Sequence, residues 1–276
     1  MIVVAPTLTE MWHNACERLL FSSDEEVDFS NSIYSFVYGN ILEAKSMEFE
    51  YDLGHDSWLT IHRWRKLQRD YLVPGEVPAF VDRCVLIHDK EGRRGMSTQM
   101  FFRQMHRDVR NRNHSWGNCL MAVSYRGFRN KIPPTITVHS RSCFLAYLGG
   151  LDITLVLKIV EELCDRTSLT PADIRFRWYV DAIQWHPFKS IPYLCSRGFR
   201  EAVLDEEEWP RAHYPSIRAS RRWIEKFETD PLESFKFAQA RRMATRWRQV
   251  NGGQPFPSYP VHELHLLPEM FEMEES

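Results

Sequence analysis

Nowhere in its 276 residues does this chain hold an apolar stretch near the roughly 20 residues that a helical bilayer crossing requires. Its opening segment, MIVVAPTLTEMWHNACERLL, has no basic leader and too short an apolar run for a secretory signal. A cytoplasmic protein without a membrane partner is therefore expected. The six cysteines, at 16, 84, 119, 143, 164 and 195, include no pair at CxxC spacing. Such scattered cysteines read as free thiols, and no paired Cys or His spacing suggests structural zinc or another metal. Formal net charge is only −2, so no global field draws the protein toward nucleic acid or an anionic surface. Any anionic ligand must be held by a local cluster of arginines. Internal repeats and low-complexity segments are absent as well.

What is present suits a folded domain. Hydrophobic residues make up 43%, charged residues 26% and aromatic residues 13%, with nine Trp, which argues against general disorder. Apolar spacing predicts helices over Thr7–Leu20, Trp58–Leu72, about Ala79–His88 and Ile153–Cys164. Strict alternation over Met47–Leu53, and strand-forming runs at Cys119–Tyr125, Thr135–His139 and Ile174–Trp185, predict strands. Strands with interspersed helices and no βαβ rhythm point to an α+β fold. A single domain over residues 1–276 is expected, with 215–276 a divergent Arg-rich, helical C-terminal extension.

The chemistry-bearing residues fall in a fixed order. Arg93 and Arg94 sit in a Gly-flanked turn, Cys119 follows 25 residues past Arg94, and Arg141-Ser142 follow the strand TITVH. Asp152 stands 11 residues past Arg141. Arginine presents a planar fork for bidentate phosphate binding, and serine adds a hydroxyl. This order and these intervals resemble those of the thymidylate synthases and deoxycytidylate hydroxymethylases. The resemblance covers about residues 89–194.

It implies a thymidylate-synthase-like fold, a mixed sheet backed by helices that dimerises through the sheet. It also implies folate-dependent hydroxymethylation or methylation at C5 of a pyrimidine nucleoside 5′-monophosphate. Cys119 would add to C6 as a nucleophile and make C5 enamine-like. Arg141 and Ser142 would bind the phosphate, and Arg93 and Arg94 would reach the partner's phosphate in a homodimer. Asp152 would read the base, and a carboxyl there is typical of the cytosine-directed branch; the same Asp is also well placed to cap the helix Ile153–Cys164. Gln184 and His186 fall where the family holds the sugar hydroxyl. Glu48 and Glu50 are candidates for the proton relay by location. The implied donor is 5,10-methylenetetrahydrofolate, although Phe144 stands where the family has an Asp against the folate ring.

Two other readings remain open. The protein could be a nucleotide-binding homologue with altered or lost turnover. Alternatively, the Arg-rich stretch from Arg218 to Arg248, interleaved with Trp223 and Trp247, could bring it to pyrimidines in nucleic acid.

Overall fold

The computed structural model describes residues 1–21, 25–29, 32–57, 59–89, 97–103, 119–127, 132–186, 190, 193 and 257–272. Arg93, Arg94 and the Arg-rich stretch 215–250 lie outside the described residues.

A seven-stranded mixed sheet forms the frame. Its strands are β1 (Ile2–Ala5), β2 (Glu25–Phe29), β3 (Ser32–Ala44), β4 (Ser97–Phe101), β5 (Leu120–Arg126), β6 (Thr135–Phe144) and β7 (Arg175–Trp185). The spatial order is β1-β3-β7-β6-β5-β4, with β2 pairing the first half of β3. Pairing is antiparallel except for β1 with β3 and β6 with β7. The helices are α1 (Leu8–Phe21), α2 (Leu53–Ser57), α3 (Ile61–Tyr71), α4 (Glu76–Asp89) and α5 (Gly150–Cys164). No helix among the described residues is long and apolar enough to cross a membrane.

The α+β expectation holds at this level, with one correction. The parallel pair β6–β7 is joined through α5, so a βαβ unit is present. Parallel strands need such a crossover because a tight turn cannot return the chain in the same direction. The alternation over Met47–Leu53 is genuine, since Met47, Phe49, Tyr51 and Leu53 are buried. Yet it is not a strand of the sheet. Met47 N donates to Pro171 O at 2.8 Å and Glu50 N to Thr9 Oγ1 at 2.8 Å, so loop and helix-end groups replace a ladder. The expected Trp58–Leu72 helix begins at Ile61, where Thr60 caps it by accepting from Arg63 N.

α5 is buried on every side from Gly150 through Val160. Its Leu, Ile and Val side chains place it in the middle of the core, where each fully buried one contributes roughly 1.5–3 kcal/mol, and the buried polar residues Asp152, Thr154 and Lys158 are the exceptions. Its first residue has no room for a side chain: a Cβ on Gly150 would come 2.4 Å from the Tyr51 ring. A π-helical turn, Leu145–Gly149, links β6 to α5, and Trp12 Nε1 pins it by donating to Leu145 O at 2.9 Å.

One irregularity of the sheet bears on the site. In β6 the buried residues are Ile136, Val138 and Ser140, then Cys143; in β7 they are Phe176, Trp178 and Val180, then Ile183 and Trp185. Both strands change phase at one level, and β3 does so between Val37 and Asn40. The pairs Tyr38–Ala182 and Ser142–Ala182 lie on one side of that level, Asn40–Val180 and Ser140–Val180 on the other. Pairing thus passes over Gly39, Asp181 and Arg141, which align across the sheet. β5 has its own irregularity at the same place, between Leu120 and Ala122. Slipping one strand by a residue moves its side chains to the opposite face. When neighbouring strands slip together, register survives and the faces exchange. Gly39 makes the bend in β3 with φ +60°, and Asn40 Nδ2 holds it by donating to Val37 O at 2.7 Å and Val180 O at 3.1 Å.

Candidate functional site

The phase change determines what β6 presents to α5. Before it, the odd-numbered residues of β6 lie on the face away from the helices; after it, Cys143 turns inward against α5. Without the change Cys143 would point away from Asp152. Instead its Sγ donates to Asp152 Oδ2 at 3.8 Å. Cys143 is 1% exposed and Asp152 4%.

Cys119 sits just before β5 on the other flank. Its carbonyl accepts from Arg141 N at 3.0 Å, and its Sγ lies 3.5 Å from Ser142 Oγ. Its backbone N–H donates to the Tyr71 hydroxyl at 3.1 Å. Tyr71 ends α3, which the C-terminal segment holds in place: Trp64 Nε1 and Gln68 Nε2 both donate to His265 O, at 3.0 and 3.2 Å. Three elements distant in sequence thus converge on one point, namely α3, the β5–β6 pair and the start of α5.

Asp152 does not cap its helix. α5 starts at Gly150 and no side chain caps it, so the Asp152 carboxyl is left for the site. Burial pushes its pKa from the ordinary 3.8 up to about 7, partly offset by the Cys143 hydrogen bond and the Arg63 charge. Near neutral pH the carboxyl is therefore divided between its acid and ionised forms. Burial also raises the Cys119 thiol, with Asp152 adding to the effect, while Ser142 and Arg141 pull it down and lose. The resting residue is a thiol. Cys143 is driven well above its usual range by burial and by Asp152, so it stays protonated and remains a donor.

Gln184 pairs with Phe144 where β6 and β7 end together, and the buried His186 sets its ring against Phe144 at 6.5 Å, edge to face. Glu48 and Glu50 take a different position. Both are exposed and line a cavity of roughly 420 Å³ with Leu157, Glu161, Pro171 and His262, to which Cys119, Ser142 and Asp152 do not contribute. Leu157 is five residues along α5 from Asp152, about 7.5 Å by helical rise.

Sequence reasoning missed Tyr71, Arg63 and Cys143. Tyr71 lies on the apolar stripe of its helix, where an aromatic reads as core, and only its hydroxyl reveals the contact. Cys143 reads as a small hydrophobe. Cys84, Cys119, Cys143 and Cys164 are all free thiols. No family model matches the chain, and no curated protein matches it.

Proposed function

We propose that this protein is a one-carbon transferase acting at C5 of a pyrimidine nucleoside 5′-monophosphate, in the first place a cytidylate, through a Cys119–C6 adduct. The observation that carries this reading is the meeting of the Cys119 thiol, the Ser142 hydroxyl and the buried Asp152 carboxyl around one point. It is the nucleotide half of the constellation that the resemblance to the thymidylate synthases and deoxycytidylate hydroxymethylases implies.

The chemistry follows from the protonation states. Attack of the Cys119 sulfur on C6 breaks the C5–C6 π bond and sends the electron pair through C4 to N3. The acid form of Asp152 gives its proton to N3, and the thiol proton restores the carboxyl, so the net step adds S–H across the C6–N3 system. C5 is then an enamine carbon able to attack an electrophilic one-carbon unit. Loss of the C5 proton and expulsion of the thiolate, which takes back the N3 proton through the Asp152 carboxyl, restore the ring and the resting thiol. Arg141 and Ser142 orient the nucleotide by its phosphate.

The resemblance names 5,10-methylenetetrahydrofolate as the donor. Where a carboxylate would meet the folate ring this chain has Phe144 packed on His186. These residues do not fit that contact.

A homodimer belongs to the proposal. The helices cover one face of the sheet, while the other carries a cross-strand row from Phe101 through Ala122, His139, Tyr179 and Ile41 to Ile2. Phe101 and Ile2 are 64% and 62% exposed, and His139 stacks on Tyr179 at 5.1 Å. The same face meeting itself about a twofold axis would bury that row.

The test is tritium release from C5-labelled cytidylate and uridylate, ribo and deoxy, with and without the folate. Exchange with at least one nucleotide is expected, and Cys119→Ala should abolish it while retaining nucleotide binding. Binding without exchange for all four would overturn the enzyme and favour a nucleotide sensor.

A further inference from the structure

Asp152 has a partner that the reaction above does not use. On α5 its carboxyl faces Cys143 from β6, Cys119 ahead of β5, and Arg63 and Tyr71 from α3. Of these, only Cys143 is hydrogen bonded to it, through Oδ2 at 3.8 Å. Cys143 is itself confined. It lies on β6 just past the phase change, close to Cys16 of α1 on one side. On the other is the π-helical turn, where a Cβ on Gly149 would come 3.4 Å from its Sγ.

This contact matters because a neutral carboxyl is ambiguous. One oxygen carries the proton and donates, and the other accepts. Cytosine presents a donor at N4 and an acceptor at N3, whereas uracil presents an acceptor at O4 and a donor at N3. With the proton on one oxygen the acid matches cytosine; with it on the other, the same acid in the same position matches uracil. A carboxyl alone therefore discriminates weakly, and discrimination requires something that fixes the proton. A thiol donating to Oδ2 makes Oδ2 the carbonyl-like acceptor and leaves the proton to Oδ1.

We infer that Cys143 is a specificity-determining residue, whose thiol fixes which oxygen of Asp152 carries the proton and so restricts the site to one of the two pyrimidine edges. This rests on the nucleotide reading above, with cytosine as the favoured base. Cys143 is a positioning residue: it touches Asp152, not the substrate. The geometry sets its reach, since Cys143 faces α5 only because β6 changes phase at Arg141.

Two measurements on wild type, Cys143→Ala and Cys143→Ser decide it, with folding of each variant checked by circular dichroism. The first follows the Asp152 carboxyl by infrared difference titration against Asp152→Asn, without nucleotide. Loss of the thiol donor should raise its midpoint by about half a pH unit, and the serine hydroxyl should restore it. The second compares dissociation constants for dCMP, dUMP, CMP and UMP by calorimetry. Wild type and Cys143→Ser should prefer the cytosine nucleotides, and Cys143→Ala should lose about five-fold or more of that preference, on the order of 1 kcal/mol. An unmoved carboxyl in Cys143→Ala overturns the contact. A moved carboxyl with an unchanged base preference overturns the specificity role. If wild type binds none of the four, the nucleotide reading falls and the specificity role with it, while the infrared shift still decides the thiol–carboxyl contact.

Discussion

A buried carboxyl whose pKa moves from 3.8 to about 7 ties the stability of this fold to pH. Between those values the unfolded chain ionises at Asp152 while the folded protein keeps its proton. The stabilisation is therefore complete below about pH 4 and is lost as pH rises through about 7, a loss on the order of 4 kcal/mol. Asp152→Asn removes the titration. Urea midpoints of this variant should exceed wild type more at pH 8 than at pH 5, and an equal difference at both would show that Asp152 is not held as the structure places it. Arg63 and Cys143 work in the opposite direction, but burial is the larger cause. The same residue thus carries a stability cost at neutral pH and the proton that the proposed reaction needs.

Among the elements, the aligned phase change in β3, β7 and β6 does most to shape the site. It depends on Gly39, whose φ of +60° costs a residue with a side chain about 1–2 kcal/mol, although nothing would meet an added Cβ within 4 Å. Gly39→Ala should therefore lose about 1 kcal/mol in urea unfolding, and Gly39→Asn less, because asparagine tolerates this conformation. Asn40→Ala should cost about 1–3 kcal/mol, since the Val37 and Val180 carbonyls lose a donor inside the sheet. A neutral result for both Gly39→Ala and Asn40→Ala would mean the bend forms without them. Elements were unevenly legible in the sequence. α5 and β7 were evident from periodicity, but the helix is buried on every side where one apolar face was expected, and the alternation of β7 changes phase at Asp181. β1 and β4, at four and five residues, are too short for alternation to mark them. The Met47–Leu53 segment misleads for a physical reason: alternating burial reports a segment lying on a core, and only hydrogen bonds make it a strand.

At the scale of the molecule, among the described residues, the helices pack on one face of the sheet, while Ile2, Val4 and Phe101 on the other face are well exposed. Covering that face with a second copy should give a particle of twice the 32.8 kDa chain mass in sedimentation equilibrium. The double substitution His139→Glu with Tyr179→Glu places like charges at the centre of the contact and should yield monomers. A wild-type monomer at micromolar concentration would exclude association through the sheet. The C-terminal segment 257–272 belongs to the same body, since it holds the α3 that carries Tyr71 to Cys119.

The order and spacing of residues, taken with the resemblance they carry to the thymidylate synthases and deoxycytidylate hydroxymethylases, marked the candidates Cys119, Arg141, Ser142 and Asp152 without coordinates. Sequence alone also determined the class of fold, since hydrophobic periodicity is a local property. Tertiary structure alone decided that Asp152 is a buried acid with a raised pKa instead of a helix cap, and that Glu48 and Glu50 face a different cavity. It also assigned Cys143 and Tyr71 to the site. Each of these depends on which side chains from distant segments share a low-dielectric space. A one-residue change of phase, repeated across neighbouring strands, sets that arrangement and leaves no mark in the composition of any one of them.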